Sequence, residues 1–343
     1  MSGGTFDVLC AGILVADLFV PPLPRLPAEG ELLKVDGMLL DTGGCAANTA
    51  TDLARLGVRA AVAGAVGADS FGDFICADLA RKGLADLSGI RRAVGHATSQ
   101  TVILPVKGQD RRFIHAPGAN GAFRVDDIDR QRVAAARVLY VGGYGILPGF
   151  DPEALASLFR FARDRGIRTV LDVAGVDPKE GMSPVSPVLP FTDVFLPNAD
   201  EAALLTGEAD AARQADVLLR AGAGIVVVTL GEHGLVARTR DRALRAEAFP
   251  VTTVDGSGAG DAFAAGFITG ILEGWDLERT VAFASAVGAS CCTRLGCTAG
   301  VFDRAQAEDF TGRHRLKVTR SAGYRGAESA GYRGADTSTG GSS

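Results

Sequence analysis

Apolar residues follow two rhythms along this chain. Unbroken runs of strand length, such as FDVLCAGILV, VRAAVAGAV, ARVLYV and GIVVVTL, read as strands buried on both faces. Other stretches space their apolar residues for a helix and carry charges on the opposite side, as in TATDLARLG, FGDFICADLARKGL and PEALASLFRFARDRG. From about residue 130 the two types alternate: ARVLYVGG, PEALASLFRFARDRG, IRTVLDVAG, DVFLPN, ADEAALLTG and GIVVVTLG, then the turn EHG and LVARTR. Two further segments, GDAFAAGFITGILEGW and LERTVAFASAVGASCCTRL, read as helices that close the core. Strands alternating with helices specify a mainly parallel sheet covered on both faces, a doubly wound α/β body.

Two segments break this pattern. The first, VPPLPRLPAEGELLKVDGMLLD, places prolines at Pro21, Pro22, Pro24 and Pro27, too densely for a central strand. Its second half, ELLKVDGMLL, predicts a short exposed strand. The second segment, HATSQTVILPVKGQDRRFIHAPGAN, holds two strand-like runs around the turn KGQD and predicts a hairpin. Together they form a small β excursion, residues 18–41 and 98–118, from a body of residues 1–17, 42–97 and 119–312. The end of the chain differs again. SAGYRGA occurs at Ser321 and again at Ser329, in Gly/Ser-rich sequence that cannot bury a core, so residues 320–343 are expected to be disordered.

Composition narrows the function classes. Hydrophobic residues make up 47% and aromatics only 6%, so Ala, Val and Leu fill the layers. The net charge is −5 with no basic stripe, which argues against nucleic acid as a partner. The N-terminal apolar run lacks a basic flank and is too short for a bilayer. The cysteines at positions 10, 45, 76, 291, 292 and 297 form no C-x-x-C pair with nearby histidine and mostly lie in apolar segments. They read as reduced core thiols. A soluble cytoplasmic protein without a membrane partner is expected.

Candidate chemistry concentrates in TTVDGSGAGDAFAAGF, Thr252–Phe267. Five small residues, Gly256–Gly260, lead into a helix that begins with a carboxylate, Asp261. A helix start presents unpaired N–H groups backed by the positive end of the dipole. Glycines let an anion approach them. Gly258, Ala259 and Gly260 can therefore form an anion hole with Asp261 beside it, placed to accept a hydroxyl proton. Held phosphoryl groups and a ready base are what alcohol phosphorylation requires. The segment is not a G-x-x-x-x-G-K-[ST] loop, and it lacks the third glycine of the dinucleotide fingerprint.

VDGSGAGDAFAAGF resembles the C-terminal signature of the ribokinase-like carbohydrate kinases, the PfkB family. TGGCAANTA resembles the family's N-terminal Gly-Gly and helical Asn. PNADEAALLTG matches its N-x-x-E element, and GADSFGD, the GAN of HAPGAN and VVTLGEHG match further segments in the family's order. The resemblance implies a three-layer α/β/α sandwich with a small β lid that closes over the substrate and often carries a dimer contact. It implies an ATP-dependent kinase acting on a small sugar, with Asp261 as general base and the amides of Gly258, Ala259 and Gly260 on the transferring phosphoryl group. It further implies Asn198 and Glu201 near Mg2+ and its waters, and Thr229, Gly231 and Gly234 bordering the nucleotide. Asp17, Gly43, Gly44 and Asn48 hold sugar hydroxyls in this reading. Asp255, with carbonyls near Thr293 and Gly296, matches where many members bind K+.

The chain departs from the family pattern at two places. Gly256 and Ser257 replace the usual Thr after Asp255, which loosens the expected cation loop. Gly143, Tyr144 and Gly145 stand where ribokinases usually carry a sugar-binding Glu, and an aromatic there points toward a nucleoside as the alternative acceptor. A non-catalytic sugar- or nucleotide-binding member is the other class. Asn198 also reads as an N-cap. His233, in a predicted turn near the expected nucleotide, reads as a plain surface residue, and His96, His115 and His314 show no metal spacing. Arg111 and Arg112 read as a solvated hairpin turn, with reach to a substrate phosphate as the second reading.

Overall fold

The computed structural model describes residues 6–109 and 111–322. The N-terminal apolar run splits into two strands of different sheets, β1 (Val8–Gly12) and β2 (Val15–Phe19). The chain continues through β3 (Leu39–Gly43), α1 (Cys45–Arg55), β4 (Ala60–Gly67), α2 (Ser70–Arg81), β5 (Asp86–Ala93), β6 (Gln100–Leu104) and β7 (Arg112–Ala116). Then follow α3 (Arg130–Ala135), β8 (Val138–Gly142), α4 (Pro152–Arg163), β9 (Arg168–Leu171), β10 (Val194–Phe195), α5 (Ala199–Thr206), α6 (Ala211–Arg220) and β11 (Ile225–Thr229). The last elements are β12 (Leu235–Arg238), β13 (Arg242–Ala246), α7 (Ala259–Glu273), α8 (Leu277–Cys291), α9 (Arg304–Arg313) and β14 (Val318–Ala322).

Seven strands, in the order β11-β10-β9-β8-β1-β4-β5, pair in parallel, and β12, β13 and β14 extend the sheet antiparallel. Alternate strand residues face opposite layers. Leu9, Ala11, Leu139 and Val141 pack with α4, α5 and α6, whereas Val8, Cys10, Val138 and Tyr140 pack with α1, α2, α7 and α8. The period of two thus builds the three-layer sandwich. Strand order runs outward in both directions from the β1–β8 pair, a switch point of the kind where doubly wound sheets open a crevice at the strands' carboxyl ends. There Gly12 faces Gly142 so closely that a Cβ on Gly12 would sit 2.1 Å from the Gly142 carbonyl oxygen.

The excursion forms a four-stranded sheet, β3-β2-β6-β7, the lid. The expected hairpin is present as β6 and β7. The strand expected over ELLKVDGMLL is shifted: residues 31–38 carry none, and β3 begins at Leu39. Pairing with β2 decides this, because Asp41 aligns with Asp17 and Gly43 with Val15. The small sheet therefore draws in Val15–Asp17 and Thr42–Gly43, which the sequence reading gave to the body. Residues 320–322, read as tail, complete β14 against β13. The rest of that predicted tail lies outside the described residues. Among the described residues no helix is long and apolar enough to cross a membrane.

Candidate active site

Two adjacent glycines bring the first carboxylate into place. Gly43 ends β3, and a Cβ there would lie 1.8 Å from Asp17 Oδ2, so the Asp17 carboxylate packs directly on the glycine backbone. Gly44 is the N-cap of α1 with φ of 94°, and a Cβ on it would strike the Ile13 carbonyl oxygen at 2.4 Å. Only glycine meets both demands. Asp17 is buried, and burial pushes its carboxyl up to about 6; a hydrogen bond with Thr101, its register partner on β6, works against that, while Asp41 and Asp261 push the same way as burial.

One turn into α1, Asn48 meets the second carboxylate. Its Nδ2 donates to Asp261 Oδ2 at 2.8 Å. Asp261 is buried in the first turn of α7. Burial lifts its carboxyl to about 6, against the lowering hydrogen bonds with Asn48 and Cys45. The helix begins at Gly258, left-handed with φ of 77° and pressed on the 292–297 loop, where a Cβ would lie 2.2 Å from the Cys297 carbonyl oxygen. No side chain caps this helix start. A Cβ on Gly260 would meet nothing within 4 Å. The start of α7 thus keeps open space in front of it beside a buried carboxylate, an arrangement that suits an incoming anion.

Further acids share this space. Asp172, just past β9, is buried and accepts a hydrogen bond at 3.0 Å from the hydroxyl of Tyr140. Its carboxyl is held well above the usual range by burial, and then by Asp261 and Glu201. One donor atom each from Cys45, Asp172 and Asp261 lies within 4.8 Å of the others. Glu201 is raised to about 7, first by burial, with Asp200 and Asp261 adding to it. It forms a capping box with Asn198: Glu201 N donates to Asn198 Oδ1 and Asn198 N to Glu201 Oε2, both at 2.9 Å. Asn198 is therefore the N-cap that the sequence suggested. It also bridges to Thr229 at the end of β11. Gly231 and Gly234, both at positive φ, turn the chain back into β12, and a Cβ on Gly234 would lie 1.9 Å from the Ala246 carbonyl oxygen.

Two sequence readings change. Tyr144 is held in the core: the residue is 4% exposed and its hydroxyl donates to the Pro184 carbonyl at 2.7 Å. Arg111 is not a solvated turn residue, because its Nη1 donates to Asp255 Oδ1 at 2.5 Å and also to the Ser257 hydroxyl. Asp255 accepts from Ser257 N at 3.0 Å and Gly296 N at 3.1 Å as well, so N–H donors surround the carboxylate expected to hold K+. Asp172, Tyr140, Cys45 and Thr101 escaped the sequence reading. Only Asp172 left a signal there, as an acid at the carboxyl end of a parallel strand.

Known proteins resemble this chain in sequence and in fold. The family model described as pfkB family carbohydrate kinase matches residues 5–303. An uncharacterized sugar kinase of Archaeoglobus fulgidus is 30% identical over 254 residues, covering 73% of this chain and 97% of its own. An ATP-dependent ribose-1-phosphate kinase of Halopiger xanaduensis is 31% identical over 290 residues, covering 84% of this chain and 93% of its own. The fold matches that of an Arabidopsis thaliana ribokinase solved with ribose and ATP, with a TM-score of 0.77 at 24% identity over 89% of this chain and 98% of that one. The family model spans residues 5–303 and the relatives share the sequence over most of both chains, so this chain belongs to the pfkB family of carbohydrate kinases.

Proposed function

We propose that this chain transfers the γ-phosphoryl group of ATP to a primary hydroxyl of a small sugar, with Asp261 as the general base. The observation that carries this reading is the buried Asp261 in the first turn of α7, oriented by Asn48 and set beside the open helix start at Gly258–Gly260. Asp261 takes the proton of the acceptor hydroxyl as its oxygen bonds to the γ-phosphorus. The bond from that phosphorus to the β–γ bridging oxygen breaks, and ADP leaves. Amides of Gly258, Ala259 and Gly260 receive the charge on the transferring group. Asp17, on the lid strand β2, and Asn48 receive the sugar, while Thr229 and the Gly231–Gly234 turn border the nucleotide.

The oxygen-rich, mutually repelling acids Asp172, Glu201 and Asp261 suit a hard divalent cation. Glu201, acting through water, and Asp172 would hold Mg2+, which supplies charge neutralisation for the phosphates when bound. The β-lid excludes water from the sugar side. Burial of Tyr144 in the core withdraws the feature that favoured a nucleoside acceptor. The six free thiols support a reducing, cytoplasmic location.

The test is ADP release with Mg2+ and ATP against ribose, fructose, ribose 1-phosphate, 2-keto-3-deoxygluconate and adenosine. Sugar-dependent turnover that falls about 10²–10⁴-fold in Asp261→Asn, with nucleotide still bound, is expected. Turnover of adenosine alone, or a fully active Asp261→Asn, overturns the assignment.

A further inference from the structure

Asp255 is the junction of three segments that are distant in sequence. Its side chain is 2% exposed. Ser257 N and Gly296 N donate to its two oxygens, joining the loop ahead of α7 to the 292–297 loop. Val254 N and Asp255 N both donate to the Cys292 carbonyl, which closes the same junction from the other side. The Cys297 carbonyl then rests on Gly258, the residue that starts the helix. A carboxylate this buried needs a positive partner. It receives one from the lid: Arg111, at the head of β7, donates to Asp255 Oδ1 and, with the same Nη1, to Ser257 Oγ. The guanidinium also lies 5.7 Å from the ring of Phe113 on β7, which supports it from the lid side.

We infer that Arg111 is a built-in cation for this junction, so that lid docking itself supplies the positive charge that sets the helix start at Gly258. A K+ ion needs a cage of oxygen acceptors. Here Asp255 faces a guanidinium and two amide donors, and two oxygens of the junction, Asp255 Oδ1 and Ser257 Oγ, already accept from Arg111. Arg111 is a positioning residue. It acts through Asp255 and Ser257 on the amides of the anion hole, and it does so only with the lid docked. The enzyme therefore needs no monovalent cation. Removing the guanidinium uncovers two oxygens and creates a dependence on K+ that the wild type lacks.

The inference rests on the proposed kinase activity only in its turnover arm, so two other readouts accompany it. Wild type, Arg111→Met, Arg111→Lys and Arg111→Met/Asp255→Asn are compared in KCl and in tetramethylammonium chloride at equal ionic strength. Thermal midpoint, ADP affinity by calorimetry and sugar-dependent turnover are measured. Wild type is expected to be indifferent to the cation in all three. Arg111→Met should melt lower and bind ADP more weakly in tetramethylammonium, and K+ should restore ADP affinity and turnover tenfold or more. Arg111→Lys should keep most of the wild-type behaviour, and the double variant should lose the K+ response.

Two results overturn the inference: a wild type that needs K+ as strongly as Arg111→Met does, or an Arg111→Met defect that K+ leaves unrepaired. The K+ shift in melting needs neither nucleotide nor acceptor. It therefore tests the built-in cation even if the proposed reaction fails, a failure that would show instead as absent turnover in an ADP-binding wild type.

Discussion

Asp261 carries opposing demands in a single side chain. As the proposed base it must lose its proton, yet burial favours keeping it, and the balance places the carboxyl at about 6. The consequence for stability has a definite sign. Between the unfolded value of 3.8 and the folded value of about 6, the folded state holds the proton more firmly, so stability falls as pH rises through this window. In the protein without ligands, Asp261→Asn should therefore raise stability on the order of 3 kcal/mol at pH 8 and change it little at pH 3.5. Urea denaturation at the two pH values measures this, and equal effects at both would remove the buried-charge account. Asn48 supplies the bond that works against burial. Asn48→Ala should move the acid limb of kcat/KM for the sugar upward by about one pH unit, the size of a lost charge-assisted hydrogen bond. A pH–rate profile that shifts only in height would leave Asn48 a sugar ligand and nothing more.

At the scale of elements, glycines decide how the α7 start is built. Gly258 combines positive φ with the Cys297 carbonyl oxygen at 2.2 Å from a would-be Cβ, whereas Gly260 is helical with open space around its α-carbon. The two therefore answer differently to the same change. Gly258→Ala should destabilise the fold by about 2 kcal/mol or more through backbone strain and displacement of the 292–297 loop. Gly260→Ala should leave stability equal or raise it by up to about 1 kcal/mol, as expected for alanine in a helix, while its methyl intrudes on the anion space and raises the KM for ATP. Thermal melts with initial-rate kinetics separate the two cases. A Gly260→Ala enzyme with unchanged KM would mean that the phosphate does not approach this turn.

Across the whole molecule, polar groups distant in sequence fix the passage from body to lid. Asn120, 106 residues from Leu14 in sequence, accepts from Leu14 N at 3.1 Å and donates to the Leu14 carbonyl at 2.9 Å. Leu14 sits where the chain leaves β1 for β2, so this clamp fixes the passage from the large sheet to the lid. Asn120→Ala orphans a buried amide and a buried carbonyl, and should cost about 2–4 kcal/mol. It should also raise the sugar KM more than that for ATP, because Asp17 lies three residues beyond the clamp. Loss of stability with both KM values unchanged would limit Asn120 to a structural role.

The sequence alone determined what local rules can carry. Alternating apolar rhythms specified the parallel α/β body, and the glycine-rich turn ahead of a carboxylate singled out Gly258, Gly260 and Asp261, because special backbone conformations demand special residues, while Gly43 and Gly44 were marked by the family resemblance. Tertiary structure alone decided which groups meet. Arg111 reads as a turn residue until β6 and β7 carry it onto Asp255, 144 positions away in the chain. Tyr144 reads as a ligand contact until the Pro184 carbonyl takes its hydroxyl, and β3 begins at Leu39 only because β2 lies beside it. Periodicity constrains residues a few positions apart, whereas burial, counter-charge and strand register depend on neighbours that only the folded chain supplies.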